Sequence, residues 1–432
     1  EAPPDGMENE SFASMGLSPW IVRTCTELGM TKPTPIQSLC IPTILKGGNV
    51  IGAAETGSGK TAAFALPILH TLGKDPFGIF CAVVTPTREL AIQIGEQFKA
   101  LGSALKVRVV TVIGGMDITR QSLELEQLPH IIVGTPGRLA DQLEMNPTLT
   151  LKRLRFLVLD EADRLLTKQF ASEFGIIFSS VASPVRRQTL LFSATMAKSF
   201  DVLDSIAGDK PFQRYDCCSE FSTVENLDQR YMLMPLTVKH CYLVYLLRTN
   251  EEKSCIIFTS TCRTAHIMQS MLEQLDITAV ALHSQLPQAQ RLRSMSLFRS
   301  SQVKTLVATD VASRGLDIPQ VEMVINYDIP LDPKDYIHRV GRTARAGKGG
   351  VAVSLISQYD VKRIQNIERV TKRKLELYEA PEKTVLSHLN EATTAQKIAM
   401  VYVEEGDFDS TYQRRKKRIH TPHHSKKKLT KS

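Results

Sequence analysis

The segment Ala54-Glu55-Thr56-Gly57-Ser58-Gly59-Lys60-Thr61 follows the apolar run Val50 to Ala53 and precedes a helical pattern. A glycine-rich turn so placed aims backbone N–H groups at phosphates, its lysine reaches the terminal phosphates and its threonine hydroxyl suits Mg²⁺. One hundred positions beyond Lys60, Asp160-Glu161-Ala162-Asp163 ends a second apolar run, Phe156-Leu157-Val158-Leu159. Asp160, at that strand's carboxyl end, can hold the same metal through its water shell, and Glu161 can orient or deprotonate an attacking water. The expectation is a site that hydrolyses a nucleoside triphosphate. Thr56, Gly57, Ser58, Gly59, Lys60 and Thr61 bind the nucleotide, Thr61 and Asp160 take the metal, and Lys60, Asp160 and Glu161 carry the chemistry. A chance glycine turn and a surface acidic cluster are the bland alternative, which two motifs in order, each after an apolar strand, disfavour. Ala54 stands where the generic phosphate loop has its first glycine.

Such groups need rigid supports. Short apolar or β-branched runs alternate with longer helical patterns, the signature of parallel sheets covered by helices. The first series of strands is read at 50–53, 81–85, 108–112, 131–135, 156–160 and 189–193, and the second at 254–259, 279–283, 305–309, 323–326 and 351–355. The expected fold is therefore α/β: two tandem domains, each a mainly parallel sheet flanked by helices. The boundaries read as 1–208, a polar linker at 209–224, 225–378, and a C-terminal extension with a basic tail at 379–432. In open sheets of this class ligands bind outside the carboxyl ends of the strands, where nearly every polar motif falls.

A composition of 43% hydrophobic and 23% charged residues is that of a soluble globular protein. No apolar stretch is long enough to span a bilayer, and Asp5, Glu8 and Glu10 stand where a secretory signal is basic and then apolar. The expectation is no membrane, and cytosol or nucleus. The eight cysteines show no Cys-x-x-Cys pair and no metal-ligand spacing with histidine, so they read as reduced, mostly buried thiols. Of the net charge of +8, nine Lys or Arg and no acid lie between Gln413 and Ser432, leaving 44 bases against 45 acids in residues 1–412. Nucleic-acid binding by the body needs a localised patch, whereas the tail is a diffuse polycation. A nuclear import signal, a nonspecific RNA tether and an inert solubilising end all fit that tail.

Taken in order, these motifs resemble those of the DEAD-box family of ATP-dependent RNA helicases, over about residues 10 to 375. The resemblance implies two RecA-like domains that hydrolyse ATP with Mg²⁺ under stimulation by RNA, and that locally unwind RNA duplexes or remodel RNA–protein complexes. Gly29-Met30-Thr31-Lys32-Pro33-Thr34-Pro35-Ile36-Gln37 resembles the family's base-recognition motif, with Met30 where an aromatic is usual. By resemblance the Gln37 amide reads the adenine edge and Phe12 packs on the base; an ordinary core aromatic is the rival role for Phe12. Pro86-Thr87-Arg88, Gly114-Gly115 and Thr135-Pro136-Gly137-Arg138 resemble loops that track the RNA backbone. Glycines, hydroxyls and arginines suit phosphate and sugar contacts, which position a strand without specifying its bases. Ser193-Ala194-Thr195 resembles the segment that couples nucleotide state to strand separation, with helix capping as the rival role for either hydroxyl.

In the second domain, His283-Ser284 with Gln288-Ala289-Gln290-Arg291 resembles an RNA-facing loop, although Ser284 stands where glycine is usual. Within Thr309-Asp310-Val311-Ala312-Ser313-Arg314-Gly315-Leu316-Asp317 the resemblance assigns Thr309 to an RNA phosphate, Gly315 to the γ-phosphate neighbourhood and Asp317 to the ribose hydroxyls of ATP. In His338-Arg339-Val340-Gly341-Arg342-Thr343-Ala344-Arg345, Arg342 and Arg345 share one face if the segment is helical, and can present two guanidinium forks to the γ-phosphate. An arginine so used is worth roughly 10³ to 10⁵ in rate. His338 is assigned to coupling, and a solvated basic helix face is the rival reading. The resemblance further implies that ATP and RNA draw the domains together and bring Arg342 and Arg345 onto the phosphate held by Lys60 and Thr61. The run Phe156 to Leu166 and the short N-terminal segment resemble a nucleolar subgroup that assists small-subunit ribosomal RNA maturation. That implies pre-ribosomal RNA and ribosome-assembly proteins as partners, a monomer, and the nucleolus of the nucleus as location. A nucleotide-gated RNA clamp, in which hydrolysis times release, and a DNA helicase are the competing readings.

Overall fold

The computed structural model describes residues 11–54, 57–146, 149–181, 183, 187–193, 210–217, 227–310, 318–343 and 349–405. Thr56, Thr195, Gly315, Asp317 and Arg345 lie outside the described residues. The chain divides into two compact units, whose described residues are 11–217 and 227–405.

In the first unit, β1 (Asn49–Ala53), β2 (Cys81–Val84), β3 (Val109–Val112), β4 (Ile131–Gly134), β5 (Phe156–Asp160), β6 (Gln188–Ser193) and β7 (Phe212–Asp216) form a seven-stranded sheet in the order β3-β4-β2-β5-β6-β1-β7. In the second, β8 (Leu227–Leu233), β9 (Cys255–Thr259), β10 (Ala279–Leu282), β11 (Thr305–Thr309), β12 (Met323–Asn326), β13 (Gly350–Ile356) and β14 (Glu376–Leu377) take the order β10-β11-β9-β12-β13-β8-β14. Strand for strand, the two orders are the same, and every pairing is parallel.

Parallel sheets carry helices on both faces, so their inner strands are buried throughout and read as unbroken apolar runs. Alternate residues of β5 show this directly. Phe156 and Val158 enter one core with Phe64 and Phe98 of the helices Lys60–Lys74 and Arg88–Leu101, whereas Leu157 and Leu159 enter another with Leu165 and Ile177.

The structure departs from the expected boundaries in two places. The segment read as a linker contains β7, which pairs with β1 at the sheet edge. Asn49 Nδ2 donates to Lys210 O (2.8 Å) and Cys217 N to Ala53 O (2.8 Å), closing both ends of the pairing. An edge strand needs no apolar run, and Phe212-Gln213-Arg214-Tyr215-Asp216 has none, so periodicity missed it. The segment read as a C-terminal extension contributes the helices Glu382–Ser387 and Leu389–Glu405, whose Val385, Ala392, Ala395 and Ala399 join the second unit's core beside Leu243, Met268 and Leu272. Up to Glu405 it belongs to that unit. Among the described residues no helix is long and apolar enough to cross a membrane.

Candidate nucleotide site and nucleic-acid faces

The sheet order places β6 between β1 and β5, so Ser193, at the end of β6, stands between the glycine loop after β1 and Asp160 at the end of β5. Ser193 is buried, and its carbonyl accepts the N–H of Ala54 at 3.1 Å. Gly57 and Gly59 have φ of 85° and 86°, the left-handed region that favours glycine. A Cβ on Gly59 would also lie 2.3 Å from Gln37 Nε2, so no other residue fits there. Lys60 begins the helix Lys60–Lys74, and its Nζ donates to Ala54 O at 2.6 Å, an acceptor that a phosphate oxygen can replace. Ser58 and Thr61 are half-buried beside it.

Asp160 is only 4% exposed. Burial pushes its carboxyl up to about 7, against the pull of Lys60 and with a further push from Glu161 and Asp163. Its Oδ1 accepts Glu161 N at 3.1 Å. Glu161 itself is left-handed (φ 54°, ψ 48°), a conformation that costs a side-chain-bearing residue about 1–2 kcal/mol, and Arg164 Nη1 lies 3.8 Å from Glu161 Oε2. The donors at this point are carboxylate and hydroxyl oxygens, which suit a hard cation. Mg²⁺ takes one or two carboxylates and fills its remaining positions with phosphates and water, so Thr61 and Asp160 fit it, and a buried carboxyl short of positive charge is where a cation is most stabilising.

Gln37 is the third residue of the helix Pro35–Leu45. Its Oε1 accepts Thr34 N at 3.0 Å and its Nε2 donates to Gly59 O at 3.1 Å, so one amide ties the base motif to the phosphate loop. One N–H and one lone pair are left over. Phe12, expected to pack on the adenine, is 3% exposed and shares a core with Ile21, Cys25 and Leu69. A ring this covered is an anchor for the chain entering the first unit, and the expectation of a base-stacking face is corrected.

Because β3, β4 and β2 are neighbours, the loops after them share one edge of the first unit. Arg88 lies against Gly114, where a Cβ would be 2.9 Å from its Nη2, and Arg138 Nη1 donates to Met116 O at 3.0 Å. Two arginines thus fasten the glycine loop from either side. Gly115 is exposed with φ 83°, and nothing stands within 4 Å of a Cβ on Gly137, so backbone can approach there. Thr87 caps the helix Arg88–Leu101, its Oγ1 accepting Leu90 N at 3.4 Å, while Thr135 and Pro136 open the helix Pro136–Met145. Pro86, Thr87, Arg88, Gly115, Thr135, Pro136, Gly137 and Arg138 are therefore gathered on one edge.

In the second unit, Thr309 ends β11 and is buried, and His338 is half-buried on the helix Pro333–Val340. Arg291, expected on the RNA-facing surface, is 7% exposed. It faces inward toward His283, whose pKa falls to about 3 through burial and then the charges of His266 and Arg291. Arg342 was expected on a helical face shared with Arg345, but the helix ends at Val340 and Gly341 follows. Arg342 sits in the turn beyond, its carbonyl accepting Val321 N at 3.1 Å and its side chain buried. The residue that reading missed is Arg339. Its Nε and Nη2 donate to the two oxygens of Asp310 at 2.6 Å each, and its Nη1 donates to Asp328 O at 2.6 Å. With Phe258 under the guanidinium at 5.1 Å, this buried fork locks the strand end carrying Thr309 to the arginine helix. The available signal was helical geometry: His338 and Arg339 are adjacent, so they point about 100° apart and cannot both face a ligand.

Residues 34–203 match the family model described as DEAD/DEAH box helicase, and residues 238–347 match the model of the helicase conserved C-terminal domain. The chain is 50% identical over 402 residues to the probable ATP-dependent RNA helicase ddx49 of Dictyostelium discoideum, covering 93% of this chain and 79% of that protein. It is 46% identical over 407 residues to the ATP-dependent RNA helicase DBP8 of Yarrowia lipolytica, covering 92% of each. Among solved structures it is similar to S. cerevisiae Dbp5 bound to RNA and ADP BeF3, with a TM-score of 0.76 and 28% identity over 91% of this chain and 100% of that one. It is also similar to Mss116p bound to ssRNA and AMP-PNP, with a TM-score of 0.81 and 28% identity over 90% of this chain and 84% of that one.

Proposed function

The chain belongs to the DEAD/DEAH box helicase family, and on that premise we propose that it hydrolyses ATP under stimulation by RNA and uses the cycle to open short RNA duplexes or remodel RNA–protein complexes. It is an enzyme, an ATP-dependent RNA helicase. The observation that carries the reading is the junction of three strand ends in the first unit, where Lys60 at a glycine loop, Ser193 and the buried Asp160 lie side by side.

Lys60 exchanges Ala54 O for an oxygen of the terminal phosphate, and the backbone N–H groups from Gly57 to Thr61 hold the others. Thr61 and Asp160 would hold Mg²⁺, which supplies positive charge against the triphosphate when bound. Glu161 accepts a proton from the water that attacks the γ-phosphorus, while the bond to the bridging oxygen breaks to give ADP and phosphate. Gln37 reads the base with its remaining N–H and lone pair. Arg342 adds positive charge to the reaction, and Arg339 holds its segment in place.

The edge carrying Arg88, Gly115, Gly137 and Arg138 grips RNA by backbone and sugar, without reading sequence. The finer assignment is to maturation of small-subunit ribosomal RNA in the nucleolus, as a monomer working with ribosome-assembly proteins. It is supported by the subgroup resemblance of the run Phe156 to Leu166 and by the basic tail, and mapping RNA crosslinks in cells tests it. The helicase reading is tested by strand displacement. A labelled strand of a short RNA duplex should be released when ATP is added, whereas full ATP turnover with the duplex left intact would favour a clamp.

A further inference from the structure

The helix Leu389–Glu405 ends at a defined corner of the second unit. Its buried residues Ala392, Ala395, Ala399 and Val403 recur at three- and four-residue steps and hold one face against the unit. Near its start, Arg248 Nη1 donates to Glu391 Oε2 at 3.0 Å. At its end, Arg263 Nη2 donates to Glu404 Oε1 at 2.8 Å. That pair is exposed and contributes at most about 1 kcal/mol, but it fixes where the helix finishes. Arg263 is the second residue of the helix Cys262–Gln274, which starts just after β9 at the carboxyl edge of the sheet. Its neighbour Cys262 has Sγ 3.4 Å from Ser284 Oγ, in the loop after β10. Consecutive contacts therefore lead from the His283–Ser284 loop to the last turn of the final helix.

The sequence from Gly406 onward begins at that corner, and from Gln413 to Ser432 it carries nine Lys or Arg and no acid. The first five, Arg414, Arg415, Lys416, Lys417 and Arg418, are consecutive. A chain advances at most about 3.4 Å per residue, so Arg414 lies no more than about 30 Å from Glu405. Residues 1–412 are nearly neutral, so this cluster adds a cationic term that the rest of the chain lacks. Its side chains suit phosphates, and no aromatic interleaves them to stack on bases.

We propose that Arg414–Arg418 bind the phosphodiester backbone of the RNA segment that leaves the second unit at the His283–Ser284 edge, extending the grip in one direction along the strand. The proposal rests on that loop facing RNA. Because the cluster is tethered to one corner and a bound strand has a fixed polarity, an extension at one RNA end meets it and an extension at the other does not.

The test uses the intact chain and a variant with all five residues changed to Gln. Three oligouridylates are compared: a short one, the same with a 5′ extension, and the same with a 3′ extension. The variant should bind the short RNA, and be stimulated by it in ATP turnover, as the parent is. For one extended RNA its Kd should rise about tenfold at moderate salt, and its slope of log affinity against log salt should fall by about 3, as expected for roughly five lost single-strand phosphate contacts. Equal losses with both extensions would overturn the proposal in favour of an undirected polycation. No loss with either would overturn it in favour of an acidic protein partner or a solubilising role. A short RNA that neither binds nor stimulates the parent would refute the RNA reading itself, and this inference with it.

Discussion

Replacing Asp160 by Asn is expected to stabilise the nucleotide-free protein while abolishing its turnover. Burial pushes the Asp160 carboxyl up to about 7, with Glu161 and Asp163 adding to the push and Lys60 opposing it. In the unfolded chain the same group loses its proton near pH 4. Between those values folding takes up a proton, so the contribution of Asp160 to stability falls as pH rises from about 4 to about 7 and is constant above. Three pKa units at about 1.4 kcal/mol each set an upper bound of roughly 4 kcal/mol at pH 8. Asn keeps the shape and can still accept from Glu161 N, but carries no charge. Half of that bound would raise the melting midpoint by about 4–8 °C for a unit of this size. Trp20, the chain's one tryptophan, packs on the first unit's core, so its fluorescence follows that unit within the intact protein. Other titrating groups cancel in the difference between parent and variant. The gain should be small at pH 5 and largest at pH 8; a gain that is flat or shrinks as pH rises would refute the reasoning.

Arg339→Met removes the cation from a buried fork and leaves Asp310 without its partner, so calorimetry should show a loss of about 3 kcal/mol or more, with turnover falling as well. Gln37→Ala breaks the bonds to Thr34 N and Gly59 O, and should cost about 1–2 kcal/mol in urea denaturation together with a weaker nucleotide affinity by titration. Glu161→Gly relieves a left-handed side-chain-bearing residue, and should melt at a temperature equal to or above the parent's while hydrolysing no ATP. Arg342→Lys should retain ATP binding yet lose at least about 10²-fold in RNA-stimulated turnover if its guanidinium stabilises transferred charge, and unchanged kcat would remove that role.

Eleven strands were legible because inner strands of a parallel sheet are continuous apolar runs, and the phosphate loop and acidic tetrad were legible because they terminate two of them. What periodicity could not see were elements stabilised by pairing. The polar β7 is held by β1, and the two-residue β14 by β8. The alanine stripe of Leu389–Glu405 was within reach, since its spacing is helical, but the basic tail behind it drew the whole segment into one extension. Site residues failed where motif membership was read as exposure. Phe12, Arg291, Arg339 and Arg342 all belong to matched segments and are all buried, and only packing decides which member of a motif faces the ligand and which holds it up. Gln37 shows the opposite difficulty: its type predicted base contacts, whereas its bond to Gly59 O needed the fold.

The most direct measurement is steady-state ATP turnover by the intact chain without nucleic acid, with single-stranded RNA, and with DNA of the same sequence, alongside Lys60→Ala. RNA should raise turnover many-fold and DNA much less, and Lys60→Ala should be inactive with an unchanged Trp20 melt. Turnover indifferent to RNA, or stimulated equally by DNA, or surviving the loss of Lys60, would contradict an RNA-driven ATPase built on the β1–β6–β5 junction.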